Sequence, residues 1–145
     1  MIHFTDLLNE ETEYKANYDP TAKVGRLETV IEVEDVKPFH ALEDSMLFLS
    51  NKGTLTEIES LFPNECKEVK GDSHSIPIFK GTPVLNVDYQ SNPTYIFWNE
   101  TELFWIFEPT KEPNVKIKCA NLTYYAVNHE IVAISCKNFT LGPEQ

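Results

Sequence analysis

The residues best suited to nucleophilic catalysis in this sequence surround His74. His74 lies between Ser73 and Ser75 and two residues after Asp72, so a nucleophile, an imidazole and a carboxylate occur in one segment. A catalytic triad needs these groups to converge through hydrogen bonds, whereas side chains at adjacent positions point away from one another. The GxSxG motif of a nucleophile elbow is also absent. The segment therefore predicts a solvent-exposed turn.

The remaining histidines and the three cysteines do not have the spacing of a metal site. A zinc site on a helix or hairpin needs ligands at short, regular separations, and no CxxC pair occurs. An odd number of cysteines leaves one thiol unpaired in any disulfide scheme, and free cysteine is usually buried. We predict reduced buried thiols, no metal and no cofactor. The residues concerned are His3, His40, His129, Cys66, Cys119 and Cys136.

Pairs of carboxylates are a third possible source of chemistry. Glu28 with Glu32, or Glu43 with Asp44, has the composition of a hydrolase dyad. General acid catalysis needs one carboxyl with a raised pKa, which an apolar pocket provides and an exposed surface does not. These carboxylates are expected to be exposed, with no apolar pocket around them. The sequence therefore predicts a protein that is not an enzyme.

The acidic residues are concentrated in the first part of the chain. Residues 1–65 contain 14 Asp and Glu against 5 Lys and Arg, whereas residues 66–145 contain 9 against 7. Of the net charge of −11, −9 therefore belongs to the first part. Such a surface repels phosphate backbones and attracts basic proteins. With no secretory or membrane-spanning pattern, the sequence predicts a cytoplasmic protein that binds a basic protein, and neither nucleic acid nor membrane.

The elements that must position these carboxylates are mixed in the first part of the chain. Residues 5–16 predict a short polar helix, and residues 26–34 predict a strand whose outer side chains include glutamates. Residues 39–50 carry apolar side chains at helical spacing. Thr54 and Glu57 have the spacing of a capping box, which predicts a helix over residues 55–62.

The second part of the chain predicts strands. Residues 76–80 and 84–89 are expected to form a pair joined near Gly81, at a sheet edge because of their prolines. Residues 95–98 and 103–107 flank a polar turn and predict a hairpin. Its expected cross-strand pairs are Tyr95 with Ile106, Ile96 with Trp105, Phe97 with Phe104 and Trp98 with Leu103. The meander continues through residues 114–120, 122–127 and 130–137.

The aromatic residues of this hairpin have two interpretations. They fill a core, or they line a ligand pocket inside a strongly curled sheet. We favour a core because large aromatic side chains fill small barrels, but a small-ligand-binding protein or enzyme remains the alternative function. The residues are Tyr95, Phe97, Trp98, Phe104, Trp105 and Phe107.

Together these patterns predict one α+β domain over residues 1–145, with a meandering antiparallel sheet in the C-terminal half and short helices from the N-terminal half. A short, acidic, cysteine-poor chain of this kind resembles the immunity proteins of bacterial toxin systems, such as contact-dependent growth inhibition. The resemblance implies a toxin partner, often a basic nuclease, that is blocked at its active site. A protein that mimics nucleic acid, and so occupies a nucleic-acid-binding partner, is a further alternative, because it would have the same acidic surface. The expected partner-binding carboxylates are Glu28, Glu32, Glu34, Asp35, Glu43 and Asp44.

Overall fold

The computed structural model describes residues 1–68 and 76–144, and these residues form strands and no helix. The described part of the chain thus contains no helix able to cross a membrane. The strands are β1 (Ile2–Leu8), β2 (Tyr14–Asp19), β3 (Val24–Thr29), β4 (Lys37–Leu42), β5 (Ser45–Leu49), β6 (Leu55–Leu61), β7 (Asn64–Glu65), β8 (Ile78–Lys80), β9 (Thr82–Val87), β10 (Tyr95–Trp98), β11 (Leu103–Ile106), β12 (Val115–Cys119), β13 (Leu122–Val127), β14 (Glu130–Cys136) and β15 (Phe139–Leu141).

The strands form two sheets. Sheet A has the order β7-β10-β11-β14-β13-β12-β8, with β1 paired to the start of β14 and β9 paired to β1. Sheet B has the order β15-β2-β3-β6-β5-β4. Most neighbouring strands are antiparallel, but β7, β8 and β15 each pair in parallel with their neighbour.

The inner faces of the two sheets share one hydrophobic core. Trp105 of sheet A is fully buried and lies over Gly25 of sheet B, where a Cβ would be 3.4 Å from the indole ring. The indole Nε1 donates to Ser60 Oγ at 3.2 Å. Ser45 Oγ lies 2.5 Å from Ser60 Oγ and 2.6 Å from Thr94 Oγ1. Because each buried hydroxyl has a partner, this polar chain joins the sheets without unsatisfied groups among its members.

The predicted α+β class is wrong, because the protein is all-β. The segment predicted as a helix over residues 5–16 contains the end of β1 and the start of β2, residues 39–50 contain most of β4 and all of β5, and residues 55–62 contain β6. Two β-bulges produced the helical spacing. Ala41 is the extra residue of the bulge in β4, and Thr56 is the extra residue of the bulge in β6, opposite Phe48 and Leu49. Phe39 and Leu42, like Leu55 and Ile58, are therefore three residues apart rather than two.

The predicted hairpin is confirmed, and each of its four cross-strand pairs has the expected register. The three-strand meander is confirmed as β12, β13 and β14. The predicted pairing of residues 76–80 with residues 84–89 is wrong. β8 instead pairs with β12 and β9 pairs with β1, and Gly81 lies at the corner between them.

Candidate functional site

The six predicted partner-binding carboxylates lie in three places on sheet B. Glu28 is on the outer face of β3, where Lys15 Nζ and Arg26 Nη2 each approach its carboxylate to 3.3 Å. Arg26 also contacts Glu57. The pKa of Glu57 is raised overall, because burial outweighs the opposing attraction of this guanidinium. Because two cations offset its charge, Glu28 offers little attraction to a partner.

Glu43 and Asp44 form the two-residue turn between β4 and β5. Both carboxylate oxygens of Asp44 lie 3.0 Å from the Thr94 amide nitrogen, which donates to them. Glu43 Oε1 accepts a hydrogen bond of 3.0 Å from Ser91 Oγ. These two carboxylates therefore hold the segment before β10 against the turn.

Glu32, Glu34 and Asp35 lie in the loop between β3 and β4, because β3 ends at Thr29 and not at the predicted residue 34. We call residues 30–36 the acidic loop. All three carboxylates are exposed, and no ion pair to them occurs within residues 1–68 and 76–144. The β4–β5 turn is at the other end of β4, about 17 Å away for five residue steps. The predicted set is thus not one contiguous patch.

The acidic loop also exposes aliphatic side chains. Ile31 is 78% exposed, Val30 49% and Val36 38%. The segment Val-Ile-Glu-Val-Glu-Asp-Val contains no lysine or arginine. An apolar side chain surrounded by carboxylates, with no cation between them, has the composition of a protein-binding element rather than a catalytic site.

The start of this loop is held in place by hydrogen bonds. The Val30 amide donates to the Glu13 carbonyl at 2.9 Å, and Thr29 Oγ1 donates to the Ile31 carbonyl at 2.7 Å. The first contact brings Glu13 beside the acidic loop, and the side chains of Glu13 and of Glu11, two residues earlier, are exposed. Sequence reasoning did not include these two residues, because their proximity depends on the pairing of β2 with β3.

The aromatic block is divided between the two faces of sheet A. Ile96 and Trp105 are fully buried in the core between the sheets, and Phe107 is 1% exposed. Phe104 lies on the outer face with Phe97 at a ring-centroid distance of 5.6 Å. Trp105 fills space between the sheets, as predicted for a core residue.

Two of the histidines considered as possible metal ligands pack against aromatic rings. The His40 ring packs at a tilt against Tyr89, and the His129 ring against Phe4, with centroid distances of 4.7 Å and 5.1 Å. His74 and its neighbours lie outside the described residues. Among the described residues, no group of three or more His, Cys, Asp or Glu side chains is placed to hold a metal ion.

The three thiols should differ sharply in reactivity. Cys119 and Cys136 are fully buried, whereas Cys66 is partly exposed, and all three are free. Burial raises the pKa of Cys136 to about 11 and also raises the pKa of Cys66. Since the thiolate is the reactive form, we expect one equivalent of a thiol reagent to react with the native protein near neutral pH, at Cys66, and faster as the pH rises.

Mass spectrometry after labelling would identify the modified cysteine, and labelling in denaturant provides the control, in which all three should react. Rapid native labelling of Cys119 or Cys136 would contradict the burial of that side chain.

No family model matches the chain, and no curated protein matches it significantly in sequence. Functional inference therefore depends on the surface formed by the acidic loop.

Proposed function

We propose that this protein is an inhibitory binding protein of the immunity type, which neutralises a basic toxin in the cytoplasm by covering its active site. A nuclease is the kind of toxin that the charge of this surface best supports. The observation that carries the proposal is the 78% exposure of Ile31 in one loop with three carboxylates that form no ion pair within residues 1–68 and 76–144.

The exposed aliphatic side chains of the acidic loop support a binding role. Single exposed apolar residues are common on protein surfaces, but three of the seven residues of the acidic loop are exposed aliphatics. Interface hot spots combine a central apolar anchor with a surrounding polar rim that excludes water. Ile31 has the position of such an anchor, and Glu32, Glu34 and Asp35 have the position of the rim.

The negative charge of the acidic loop supports a basic partner such as a nuclease. A nuclease binds phosphates through lysine and arginine side chains, and carboxylates can pair with the same groups. Glu13 lies alongside the loop and, with the exposed Glu11 two residues earlier, extends the negative surface. Such an arrangement raises the association rate by electrostatic steering and occupies the cations that substrate needs.

The hydrogen bonds at the start of the acidic loop also favour binding. A loop that is already ordered loses less conformational entropy on binding than a disordered one. The hydrogen bonds from Val30 and Thr29 hold the first residues of the acidic loop before any partner arrives.

The test begins with affinity capture from the native host, with the purified chain as bait at low and at high salt. The captured protein is identified by mass spectrometry, purified and assayed for nuclease activity with and without the chain. The proposal expects one basic protein, whose activity the chain abolishes. Capture of no protein under either condition, or a partner whose activity is unaffected, would reject inhibition.

The triple variant E32K/E34K/D35K then tests the surface. We expect binding to weaken about 100-fold, or about 2.7 kcal/mol, mainly through slower association. The variant E68K/E100K/E112K is the matched control, since it makes the same change in net charge at exposed positions elsewhere. Equal loss in both variants would indicate nonspecific attraction and would remove the acidic loop from the interface.

The variant Ile31→Ser separates the anchor from the charge. It leaves every carboxylate in place, so the association rate should change little while dissociation becomes about tenfold faster. Surface plasmon resonance with the captured partner measures both rates.

A further inference from the structure

A strained aromatic residue marks the place where the chain leaves sheet B for sheet A. Phe62 follows β6 and precedes Pro63, with φ of +57° and its side chain 71% exposed. A bulky side chain is rarely found in this left-handed region, and a following proline disfavours helical backbone angles further. The corner itself has a structural cause, because the Phe62 amide donates to the Lys23 carbonyl at 2.7 Å.

The identity of the side chain has no such cause. Glycine or asparagine adopts the same backbone conformation at lower cost, and the Phe62 ring gains little burial in exchange. The adjoining Leu61 is also 51% exposed. Strain of this kind persists where function needs the side chain, so the exposed ring calls for a partner.

The surroundings of Phe62 are acidic and concave. A surface cleft of about 350 Å³ lies beside the ring and includes Met46, His40 and Ser45 in its wall, with the carboxylates of Glu43, Asp44 and Glu59. We define the acidic corner as Leu61, Phe62, Glu43 and Glu59. Its partner must offer an apolar side chain next to cations.

The edge strand β8 offers both. Ile78 is 53% exposed and Phe79 51%. Lys80 lies opposite Lys118 in the parallel pairing of β8 with β12, and both lysines are exposed. Neither lysine has an ion pair within residues 1–68 and 76–144. We define the basic edge as Ile78, Lys80 and Lys118, whose side chains share one face of the sheet, because residues two apart in a strand point the same way and Lys118 is the register partner of Lys80.

The two surfaces cannot meet within one molecule. Phe62 lies two residues before β7, which is one edge of sheet A, and β8 is the opposite edge. Six strand spacings separate these edges, or about 29 Å. Contact between them therefore requires two copies of the chain.

We propose that the acidic corner of one copy docks on the basic edge of a second copy. Ile78 enters the cleft beside Phe62, while Lys80 and Lys118, on the same face of the sheet as Ile78, lie opposite Glu43 and Glu59. Because the two surfaces differ, the contact is head-to-tail and leaves one unused surface at each end of a dimer, so that further copies can add. The acidic loop is not part of this contact.

Sedimentation equilibrium of the wild-type chain tests the association. At about 150 mM salt the net repulsion between copies is screened beyond about 8 Å, whereas contacting charges still attract. We expect a dissociation constant on the order of 100 µM and a weight-average mass that exceeds that of a dimer at about 1 mM protein. A monomer throughout this range, or an assembly that stops at two copies, would overturn the proposal.

Two double variants test the geometry. L61S/F62N removes the apolar part of the acidic corner and keeps the basic edge, whereas K80E/K118E disables the basic edge and keeps the corner. Each variant alone should remain monomeric. An equal mixture should form a dimer of one copy of each and nothing larger, because each contributes one intact surface. A mixture that stays monomeric would reject the head-to-tail contact.

Two controls keep these outcomes interpretable. Leu141→Ser changes a residue of sheet B that is 45% exposed, and should associate as the wild type does. The single variant Phe62→Asn should have an unchanged or higher melting temperature, because asparagine tolerates a positive φ, yet should associate at least about tenfold more weakly. Wild-type association by Phe62→Asn would also reject the proposal. Loss of self-association in L61S/F62N should leave binding of the basic partner intact, so this inference and the proposed function fail independently.

Discussion

Replacing Gly81 by alanine should destabilise this protein by about 4 kcal/mol, which is the largest effect that we expect from one added methyl group. Gly81 has φ of +141°, a conformation that residues with a side chain rarely adopt. A Cβ at this position would lie 2.6 Å from the Leu8 carbonyl oxygen and 3.0 Å from Leu7 Cγ. The first of these atoms belongs to the backbone of β1, which is held by its pairing with β9, so it cannot move aside cheaply.

Gly142→Ala is the matched control for this prediction. Gly142 also has a positive φ, +104°, but apart from Gly142 and its two chain neighbours no heavy atom of the described residues lies within 4 Å of the position of its Cβ. Its replacement should therefore report the backbone term alone, about 1 kcal/mol. Equilibrium unfolding in urea measures both changes. Equal losses in the two variants would show that the contact with Leu8 contributes nothing.

Replacing Asn121 by alanine should cost about 3 kcal/mol, because its side chain completes the hydrogen bonding of a buried residue in the other sheet. Asn121 Oδ1 accepts from the Tyr14 amide at 2.9 Å, and Asn121 Nδ2 donates to the Tyr14 carbonyl at 2.6 Å. Tyr14 is fully buried at the start of β2. The variant would leave its amide unsatisfied away from water, where the cost of a lost hydrogen bond is highest.

Asn138→Ala is the control here, since Asn138 Nδ2 donates to the same Tyr14 carbonyl at 3.2 Å but does not contact the amide. Its expected cost is about 1 kcal/mol. Thermal unfolding should show a decrease in melting temperature of about 10 °C for Asn121→Ala and about 3 °C for Asn138→Ala. A smaller loss at Asn121 than at Asn138 would mean that water replaces the missing amide oxygen.

Both predictions concern contacts that no local pattern indicates. Asn121 lies 107 residues from Tyr14 in the chain. The sequence does place Gly81 between two strands, but the approach of Leu8 to it follows from the pairing of β1 with β9. Long-range pairing therefore determines which turn residues cannot be replaced.

The candidate site shows the same division. Clustered carboxylates predict an acidic surface, and Glu32, Glu34 and Asp35 are indeed exposed together. Asp44 is equally acidic in sequence, but its carboxylate binds the amide of Thr94, which is 50 residues away. Charge alone cannot distinguish a carboxylate that faces solvent from one that holds a distant backbone group, because only the folded chain brings that group near.

By itself, the sequence determined the local parts of this protein: the hairpin of β10 and β11 and the meander of β12 to β14. Their strands are adjacent in the chain, and Asn99 Oδ1 accepts from the amides of Thr101 and Glu102 within the turn, so register and turn are specified by neighbouring residues. Only the tertiary structure decided that β4, β5 and β6 are strands, and where β3 ends. Short apolar segments interrupted by bulges have no clear period, and pairing with distant strands then outweighs their local preference.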